Sequence, residues 1–365
     1  MNAPSGEPVR YFVPGPVYVV EEVRQAMTRP VVAHRSPEFR ATWARIGELL
    51  PPLFRTAREA TIATSSSTML MEAALGSLTE REVLHATCGA FSERWLAVGR
   101  SIGRSSDQLA VPWGEVNDPD LLRAALRRKR YEAVTLTHNE TSTGVANPLE
   151  ALARVVREES DALVLVDAVS SLAAMPLETD GWGLDFVFAG VQKGIAAPPG
   201  LVALTLSERA ERRARGIARR GFYLDLVRYL EKHREGGPIT TPAVSLCWAL
   251  ERQLERIAEE GVERRWARHA ALAAATASWA ARVGLEFASA EAGRSPTVSC
   301  LRVPHGRSAP ELVRAVAAKG FTLGGGYAAW KPNTFRIGHM GEVRASDLED
   351  LLSVLEEEIA TWSGS

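Results

Sequence analysis

The chain alternates short, continuously apolar segments with longer segments of helical periodicity. The apolar segments are rich in β-branched residues and comprise 133–137 (AVTLT), 162–166 (ALVLV), 186–189 (FVFA) and 201–206 (LVALTL). Between two of them, residues 149–158 repeat apolar side chains at helical spacing. Strands that are apolar on both faces and alternate with helices are typical of a mainly parallel sheet covered on both sides. The sequence therefore predicts an α/β fold.

The pattern changes after Pro242. Residues 243–260 and 263–283 predict two long helices, and a glycine follows the first of them as a C-cap. The remainder predicts strand 297–303, helix 309–319, strand or turn 321–327, strand 334–338 and helix 345–361. This order suits a smaller α+β domain packed beside the large sheet. We expect a large domain over residues 1–255, whose N-terminal segment could also contribute to the small domain or an interface, and a small domain over 256–365.

Charge and cysteine content exclude several classes of protein. Lysines and arginines (43) nearly cancel aspartates and glutamates (44), so no basic surface for nucleic acid or an anionic membrane is indicated. The cysteines Cys88, Cys247 and Cys300 have no CxxC spacing, which argues against a disulfide framework and a zinc site. Residues Met1 to Arg10 are polar and lack the apolar region of a signal peptide. We therefore expect a cytoplasmic protein without a metal.

An aspartate and a lysine follow two of the predicted strands. Asp167 comes directly after LVLV, and Lys193 follows the strand FVFAG within three residues. Open α/β sheets bind their ligands at the carboxyl ends of the strands, where both side chains would emerge. A buried ammonium is costly, so a lysine placed there is paired, lowered in pKa or covalently used. The alternative is a surface lysine after an edge strand.

Two further segments are candidates for a polar site. Residues 64–68 (TSSST) precede a strong helix-forming run, and hydroxyl groups together with unpaired N–H groups at a helix start can cradle a phosphate. An ordinary N-cap has the same composition. Residues 138–144 (HNETSTG) form a polar cluster directly after the strand AVTLT and could equally be a simple loop.

In combination, these segments resemble the class V aminotransferases, and most closely the alanine–glyoxylate and serine–glyoxylate (or serine–pyruvate) branch. The motifs that carry the resemblance are PGP (14–16), HRSPEF (34–39), the Ser/Thr run, HNETSTGV (138–145), DAVSS (167–171), QK (192–193), PPG (198–200) and FRIGHMG (335–341). The resemblance spans residues 11–355. Lys193 follows Asp167 by 26 residues, a separation that suits the family.

The resemblance implies the type I pyridoxal-phosphate transferase fold and a homodimer with active sites at the subunit interface. Lys193 would hold pyridoxal 5'-phosphate through a Schiff base, and Asp167 would pair with its pyridine nitrogen. The remaining implied contacts are Ser66, Ser67, Thr68 and Gln192 for the phosphate, Phe91 and Val169 for the two ring faces, Thr141 for the phenolic oxygen, and Gly15 and Arg336 for the substrate.

The sequence departs from the family in two places. Relatives often have glycine where this chain has Ser65 and Ser67, so the backbone would approach the phosphate differently. Some relatives also give a tyrosine and a threonine to the partner's phosphate from the loop before Pro242. That loop here is GGPITT (236–241), which lacks the tyrosine and leaves Thr240, or else Thr241, for this contact.

The implied reaction is transamination between a small amino acid, alanine or serine, and a small 2-oxo acid, glyoxylate or pyruvate. Alternatives are another donor such as 2-aminoethylphosphonate, or a lyase of the same fold. A desulfurase would need a mobile loop cysteine, which is not indicated. A cofactor-binding regulator would carry a basic DNA-binding module, and a nucleotide-binding oxidoreductase would carry GxGxxG; neither pattern is visible.

Arg336 lies within the strand pattern TFRIG, where its charge must find an anion or reach water. The resemblance implies that its guanidinium binds the substrate α-carboxylate. The alternative is a salt bridge to a carboxylate at the domain interface.

Overall fold

The structure is a computed structural model that describes residues 10–364 of the chain. The expectation about the polar amino-terminal segment therefore falls, apart from Arg10, outside the described residues. The strands are β1 (Tyr11–Phe12), β2 (Ala60–Thr64), β3 (Glu82–Thr87), β4 (Ser105–Ala110), β5 (Ala133–Thr137), β6 (Asn139–Glu140), β7 (Val145–Ala146), β8 (Leu163–Asp167), β9 (Phe186–Gly190), β10 (Leu201–Leu206), β11 (Glu286–Phe287), β12 (Val298–Arg302), β13 (Thr322–Gly325) and β14 (Thr334–Gly338).

The helices come between and after these strands. They are α1 (Glu21–Ala26), α2 (Pro37–Phe54), α3 (Ser67–Leu78), α4 (Ala90–Ser101), α5 (Pro119–Arg128), α6 (Leu149–Glu159), α7 (Glu208–Gly216), α8 (Leu226–Arg234), α9 (Val244–Glu260), α10 (Val262–Arg282), α11 (Ala309–Ala318) and α12 (Ala345–Ala360). No helix of residues 10–364 is both long and apolar enough to cross a membrane.

The large sheet has seven strands in the order β2-β10-β9-β8-β5-β3-β4. Strand β10 runs antiparallel to both of its neighbours, and the other pairings are parallel. The prediction of an α/β fold with a mainly parallel sheet is confirmed. Because β8 and β9 are adjacent and parallel, the segments that follow them leave the same edge of the sheet.

Side chains of the central strands alternate between two apolar cores. On β8, Val164 and Val166 join one core, while Leu163 and Leu165 join the core on the opposite face. This alternation is what a pleated strand covered on both sides requires, and it accounts for the continuously apolar sequence. The central strands are thereby buried, which fixes the sheet edge where the polar residues emerge.

The second sheet has five strands in the order β1-β13-β14-β12-β11. Its first strand comes from the amino-terminal segment and pairs with β13 in parallel. Apolar side chains from α10, α11 and α12 cover this sheet and form a third core. Helix α9 continues through residue 255 to Glu260, so the domain boundary at 255/256 stays a prediction.

Candidate active site

Asp167 and Lys193 lie at the carboxyl edge of the large sheet. Asp167 is the last residue of β8, and Lys193 is the third residue after β9, in the turn that follows this strand. The two strands pair in parallel, with Asp167 opposite Phe188. The parallel register therefore brings the segments carrying the carboxylate and the amine together, as the sequence pattern predicts.

The Asp167 side chain is buried and only partly satisfied. Its Oδ1 accepts a hydrogen bond of 2.8 Å from the backbone N–H of Val169. Burial raises the pKa of Asp167 to about 7, although the Val169 N–H opposes the shift. The charges of Glu140 and Lys193 act in opposite directions on the same group. A cation placed beside this carboxyl group would stabilise its ionised form.

Lys193 is held against the amino-terminal segment. Its Nζ donates a hydrogen bond to the carbonyl oxygen of Pro14. A Cβ at Gly15 would lie 2.3 Å from Cδ of Lys193, and Gly15 has a φ of +118°, so only glycine fits there. Burial and the nearby charge of Arg336 lower the pKa of Lys193 to about 8. The amine is still mostly protonated at pH 7, but its neutral fraction is much larger than that of an ordinary lysine.

The start of helix α3 supplies unsatisfied donors. Ser66 is the N-cap residue, but its side chain makes no capping hydrogen bond. The Oγ of Ser67 is buried and has no hydrogen-bond partner among the described residues. A Cβ at Gly190 would lie 2.6 Å from both Ser67 Oγ and Gln192 Oε1, so the strand end leaves room for these two polar groups. Free donors at a helix start are suited to an anion.

Phe91 occupies the first turn of helix α4 and is fixed there by Glu140. The backbone N–H groups of Phe91 and Ser92 each donate to Glu140 Oε2 at 3.0 Å. Glu140 is fully buried and also accepts from the Ser142 hydroxyl at 2.6 Å. The Phe91 ring centroid is 5.8 Å from Lys193 Nζ. One buried carboxylate thus orients both the aromatic ring and the loop after β5.

A buried hydrogen-bond network joins the pocket to the segment that precedes β12. Asn139 donates through Nδ2 to Ser170 Oγ and Thr297 Oγ1, both at 2.8 Å. The Ser295 hydroxyl donates to Asn139 Oδ1 at 2.6 Å. Both the nitrogen and the oxygen of this amide therefore have hydrogen-bond partners, so Asn139 fixes the loop after β5 against the segment before β12.

Arg336 reaches from strand β14 to the loop after β5. Its Nη1 donates to the carbonyl oxygen of Thr141 at 2.9 Å, and its Nε donates to Gly325 at 2.8 Å. Within residues 10–364 no carboxylate lies at ion-pair distance from this guanidinium. The salt-bridge alternative therefore has no partner in the described part of the chain.

A cavity of about 140 Å³ collects most of the expected residues. Its lining comprises Ser66, Ser67, Thr68, Met71, Phe91, Arg94, Asn139, Thr141, Asp167, Val169, Ser170, Gln192 and Lys193. The sequence analysis did not assign roles to Met71, Arg94, Asn139 or Ser170. Arg94 lies one helical turn after Phe91, and its guanidinium carbon is 4.9 Å from the centroid of that ring. The i,i+3 spacing from Phe91 is therefore the sequence feature that could have indicated Arg94 as a cavity residue.

Thr240 and Thr241 are exposed and lie elsewhere on this chain. They line a separate polar pocket of about 430 Å³, together with His34, Arg35 and Arg40. The fold of one chain therefore does not bring Thr240 to Lys193. Contact between Thr240 and a cofactor phosphate would require a second subunit.

Comparison with known proteins gives consistent matches over nearly the whole chain. The family described as aminotransferase class-V matches residues 22–349. A protein of Synechococcus sp. described as the small subunit of a soluble hydrogenase is 36% identical, covering 96% of this chain and 92% of that protein. The serine–glyoxylate aminotransferase of Methylorubrum extorquens is 31% identical, covering 92% and 87%. A solved alanine–glyoxylate aminotransferase from Nostoc sp. has a TM-score of 0.89 at 30% identity, covering 98% of this chain and 97% of that one.

Proposed function

This chain belongs to the class-V aminotransferase family, whose cofactor is pyridoxal 5'-phosphate, and we propose that it transfers an amino group between a small amino acid and a small 2-oxo acid. The donor is alanine or serine, and the acceptor is glyoxylate or pyruvate. The observation that carries the proposal is Arg336, a guanidinium without an ion-pair partner in residues 10–364. It donates a hydrogen bond to the carbonyl oxygen of Thr141, a residue that lines the cavity of Lys193 and Asp167.

The cavity fits the cofactor. Ser67 Oγ is a buried hydroxyl without a partner, and a fully buried Asp167 carboxyl group has one backbone donor. An anion with several acceptor oxygens would accept a hydrogen bond from the Ser67 hydroxyl, and a protonated ring nitrogen would donate one to the Asp167 carboxylate. Glycine at position 190 keeps the space beside Ser67 open. These features support a phosphate at the start of α3 and a pyridine nitrogen beside Asp167.

Ser66, Ser67, Thr68 and Gln192 would hold the phosphate. The hydroxyl groups donate directly, and the free backbone N–H groups of the first turn of α3 add the positive end of the helix dipole. Serine in place of glycine adds a donor, which compensates for a less close backbone approach.

Phe91 and Val169 would contact the two faces of the ring, and Thr141 would contact its phenolic oxygen. Stacking on an aromatic face contributes to retention, and the half-buried Val169 closes the other side. When bound, the cofactor accepts the electron pair left at the substrate α-carbon after its proton departs. Asp167 supports this role because a carboxylate beside the ring nitrogen favours the protonated, electron-withdrawing form.

Lys193 first holds the cofactor and then carries a proton. Its lowered pKa, about 8, leaves a useful neutral fraction at neutral pH, which a nucleophile and general base require. Gly15 leaves space for the lysine stem, and it also borders the position of the substrate. Arg336 binds the α-carboxylate and so directs the α-hydrogen towards the amine.

The names of similar proteins support the choice of substrates. The Methylorubrum extorquens protein is a serine–glyoxylate aminotransferase, and the Nostoc sp. structure is an alanine–glyoxylate aminotransferase. Both names share glyoxylate and a three-carbon amino acid. An α-carboxylate is common to all of these substrates, which agrees with one substrate-facing arginine, Arg336.

We further propose a homodimer that shares its active sites. The exposed Thr240 lies in a polar pocket with Arg35 and Arg40, and such groups suit the phosphate of a partner's cofactor. Thr241 is the neighbouring alternative. A location in the cytoplasm remains the prediction from the sequence.

The test uses purified protein with the cofactor bound. Bound pyridoxal phosphate absorbs at about 400–430 nm, and a productive amino donor removes this band while the keto acid product appears. We expect alanine or serine to bleach the band and glyoxylate or pyruvate to restore it. Bleaching by 2-aminoethylphosphonate but by neither amino acid would replace the proposed donor. Product without transfer of the amino group would indicate a lyase.

The cysteines give a desulfurase no support. Cys88, Cys247 and Cys300 are all buried, and burial raises their thiol pKa values to about 12, 12 and 11. A desulfurase needs an accessible thiolate near the cofactor. The described cysteines are neutral thiols in packed surroundings.

A further inference from the structure

Helix α10 sends a buried arginine to the turn that carries Lys193. The Arg265 side chain is 1% exposed. Its Nη2 and Nε donate to the carbonyl oxygen of Gly194, at 3.0 Å and 3.3 Å. A Cβ at Gly194 would lie 2.4 Å from the Leu172 carbonyl oxygen, so the turn is closely packed on its other side as well.

The same guanidinium is bound to two carboxylates. Arg265 Nη1 pairs with Glu260 at 2.7 Å, and its Nη2 pairs with Glu342 at 2.9 Å. Burial alone would raise the pKa of Glu342, but the charge of Arg265, the Gln253 amide and the charge of Arg256 hold it at about 2. The buried charge of Arg265 is therefore compensated, which a charge in this position requires.

Two neighbours of Arg265 on the helix contact the other segments of the site. His269 places its ring nitrogens 2.9 Å from the Ala174 carbonyl oxygen and 3.1 Å from that of Gly341. Burial lowers the pKa of His269 to about 3, so the neutral ring donates to one of these carbonyls at a time. Arg268 donates to the Gly341 carbonyl oxygen at 3.0 Å.

One face of α10 thus contacts the segments that follow three proposed site residues. Positions 265, 268 and 269 have the spacing of one helix face. Ala174 belongs to the segment after Asp167, Gly194 follows Lys193, and residues 341 and 342 follow the strand of Arg336.

We propose that Arg265 is a positioning residue that sets the distance between the Lys193 amine and the Arg336 guanidinium. This inference rests on the proposed function, because it takes Arg336 as the residue that binds the substrate. Arg265 touches neither substrate nor cofactor; it acts by holding the Gly194 carbonyl and the Glu342 carboxylate on one rigid, planar group. A lysine at this position keeps the charge but loses the planar fork whose separate nitrogens reach Gly194, Glu260 and Glu342.

The first measurement is hydrogen exchange of the cofactor-loaded protein. Arg265→Lys should speed amide exchange in peptides covering both 191–197 and 339–343. Arg209→Lys is the control, because Arg209 donates to the buried Asp185 at 3.1 Å and to the Ala162 carbonyl oxygen at 2.8 Å, near the opposite end of β9. The control should leave both peptides unchanged. Unchanged exchange in Arg265→Lys would overturn the proposal.

The second measurement is a double-mutant cycle on transamination. Arg265→Lys should lower kcat/KM for alanine or serine by roughly 10- to 100-fold, since small misplacements of reacting groups are costly. In the double variant Arg265→Lys/Arg336→Lys, the loss of kcat/KM should be smaller than the product of the two single losses, because both residues act on the same substrate geometry. Fully multiplicative losses would contradict the coupling.

If Arg265→Lys does not fold, the Glu342→Gln variant decides the question. Faster amide exchange in the peptide 339–343 would support the link to Arg265, and unchanged exchange would refute it. A wild-type protein inactive on both amino acids would instead refute the proposed function, and the exchange result would still stand.

Discussion

Asp167 and Lys193 are shifted towards neutrality by the same physical cause. Burial raises the pKa of the Asp167 carboxyl group to about 7 and lowers the pKa of the Lys193 amine to about 8. Opposite shifts in one cavity are typical of a site where protons move, since each group changes charge near neutral pH. A cation beside the aspartate, such as a protonated ring nitrogen, would favour its anionic form.

The stability of the cofactor-free protein tests the Asp167 shift. In the unfolded chain the carboxyl group ionises with its ordinary pKa of 3.8, whereas burial holds the folded pKa at about 7. Between these values the folded state keeps a proton that the unfolded chain releases, so the stabilising contribution of the group is lost as pH rises. The free energy of unfolding of the wild type should fall, relative to Asp167→Asn, from about pH 4 to pH 7. A constant difference across that range would contradict the shift.

With cofactor bound, the Asp167→Asn variant should lose several orders of magnitude in the rate of transamination.

Arg336 offers a test of substrate orientation. Arg336→Lys keeps the charge but loses the forked geometry, and losing a charge-assisted hydrogen bond costs about 1.5 to 3 kcal/mol. We expect kcat/KM to fall by roughly 10- to 150-fold for every α-carboxylate substrate, and less for an amine donor without that group. Steady-state kinetics with alanine or serine measures this. Normal turnover with an intact visible spectrum would show that Arg336 does not bind the carboxylate.

At the scale of elements, helix α4 depends on a carboxylate from a neighbouring loop. Glu140 accepts hydrogen bonds from the N–H groups of Phe91 and Ser92, where the positive end of the helix dipole favours a negative charge. Burial nevertheless raises the pKa of Glu140, with the Ser142 and backbone hydrogen bonds opposing the shift. Its hydrogen bonds are therefore what makes this buried group tolerable.

Glu140→Gln should displace the first turn of α4 and with it the Phe91 ring. The amide replaces one acceptor by a donor, so we expect a loss of about 1–3 kcal/mol in stability and faster loss of cofactor on dialysis. Glu150→Gln is the matched control, because Glu150 lies exposed in the first turn of α6. Equal effects of the two variants on cofactor retention would show that Glu140 does not orient Phe91.

Local pattern predicted the elements better than their contacts. Strands β5 and β10 coincide with the apolar runs 133–137 and 201–206, because continuous burial leaves a clear sequence signature. The pattern also placed Asp167 at a strand end. It could not show that β10 runs antiparallel, or that β1 joins the distant small sheet, since strand pairing depends on contacts remote in sequence. Arg265 was missed for the same reason: its Gly194 partner lies 71 residues away.

At the scale of the whole molecule, residues from the two main sheets meet around the proposed site. Lys193 and Asp167 come from the large sheet, while Arg336 comes from the small one. Pro14 and Gly15 reach the lysine directly after β1, which belongs to the small sheet. The segment around Pro14 therefore links the five-stranded sheet to the lysine of the large sheet.

Hybrid dimers test whether the sites are shared between subunits. If Thr240 reaches the partner's phosphate, mixing Lys193→Ala subunits with Thr240→Ala subunits creates one site lacking both residues and one retaining both. We expect activity to exceed that of either variant alone after subunit exchange, measured as transamination. A fully active monomer, or hybrids without recovered activity, would contradict the shared site.

The central claim is that Lys193 holds the cofactor, and chemical mapping tests it most directly. Borohydride reduction of the loaded protein fixes the cofactor to its lysine, and peptide mapping then identifies that residue. The chain has four other lysines, Lys129, Lys232, Lys319 and Lys331, none of which lines the cavity of Asp167. The account predicts a single label on Lys193, with no visible band near about 400–430 nm in Lys193→Ala. A reduced cofactor on any of the other four lysines would contradict it.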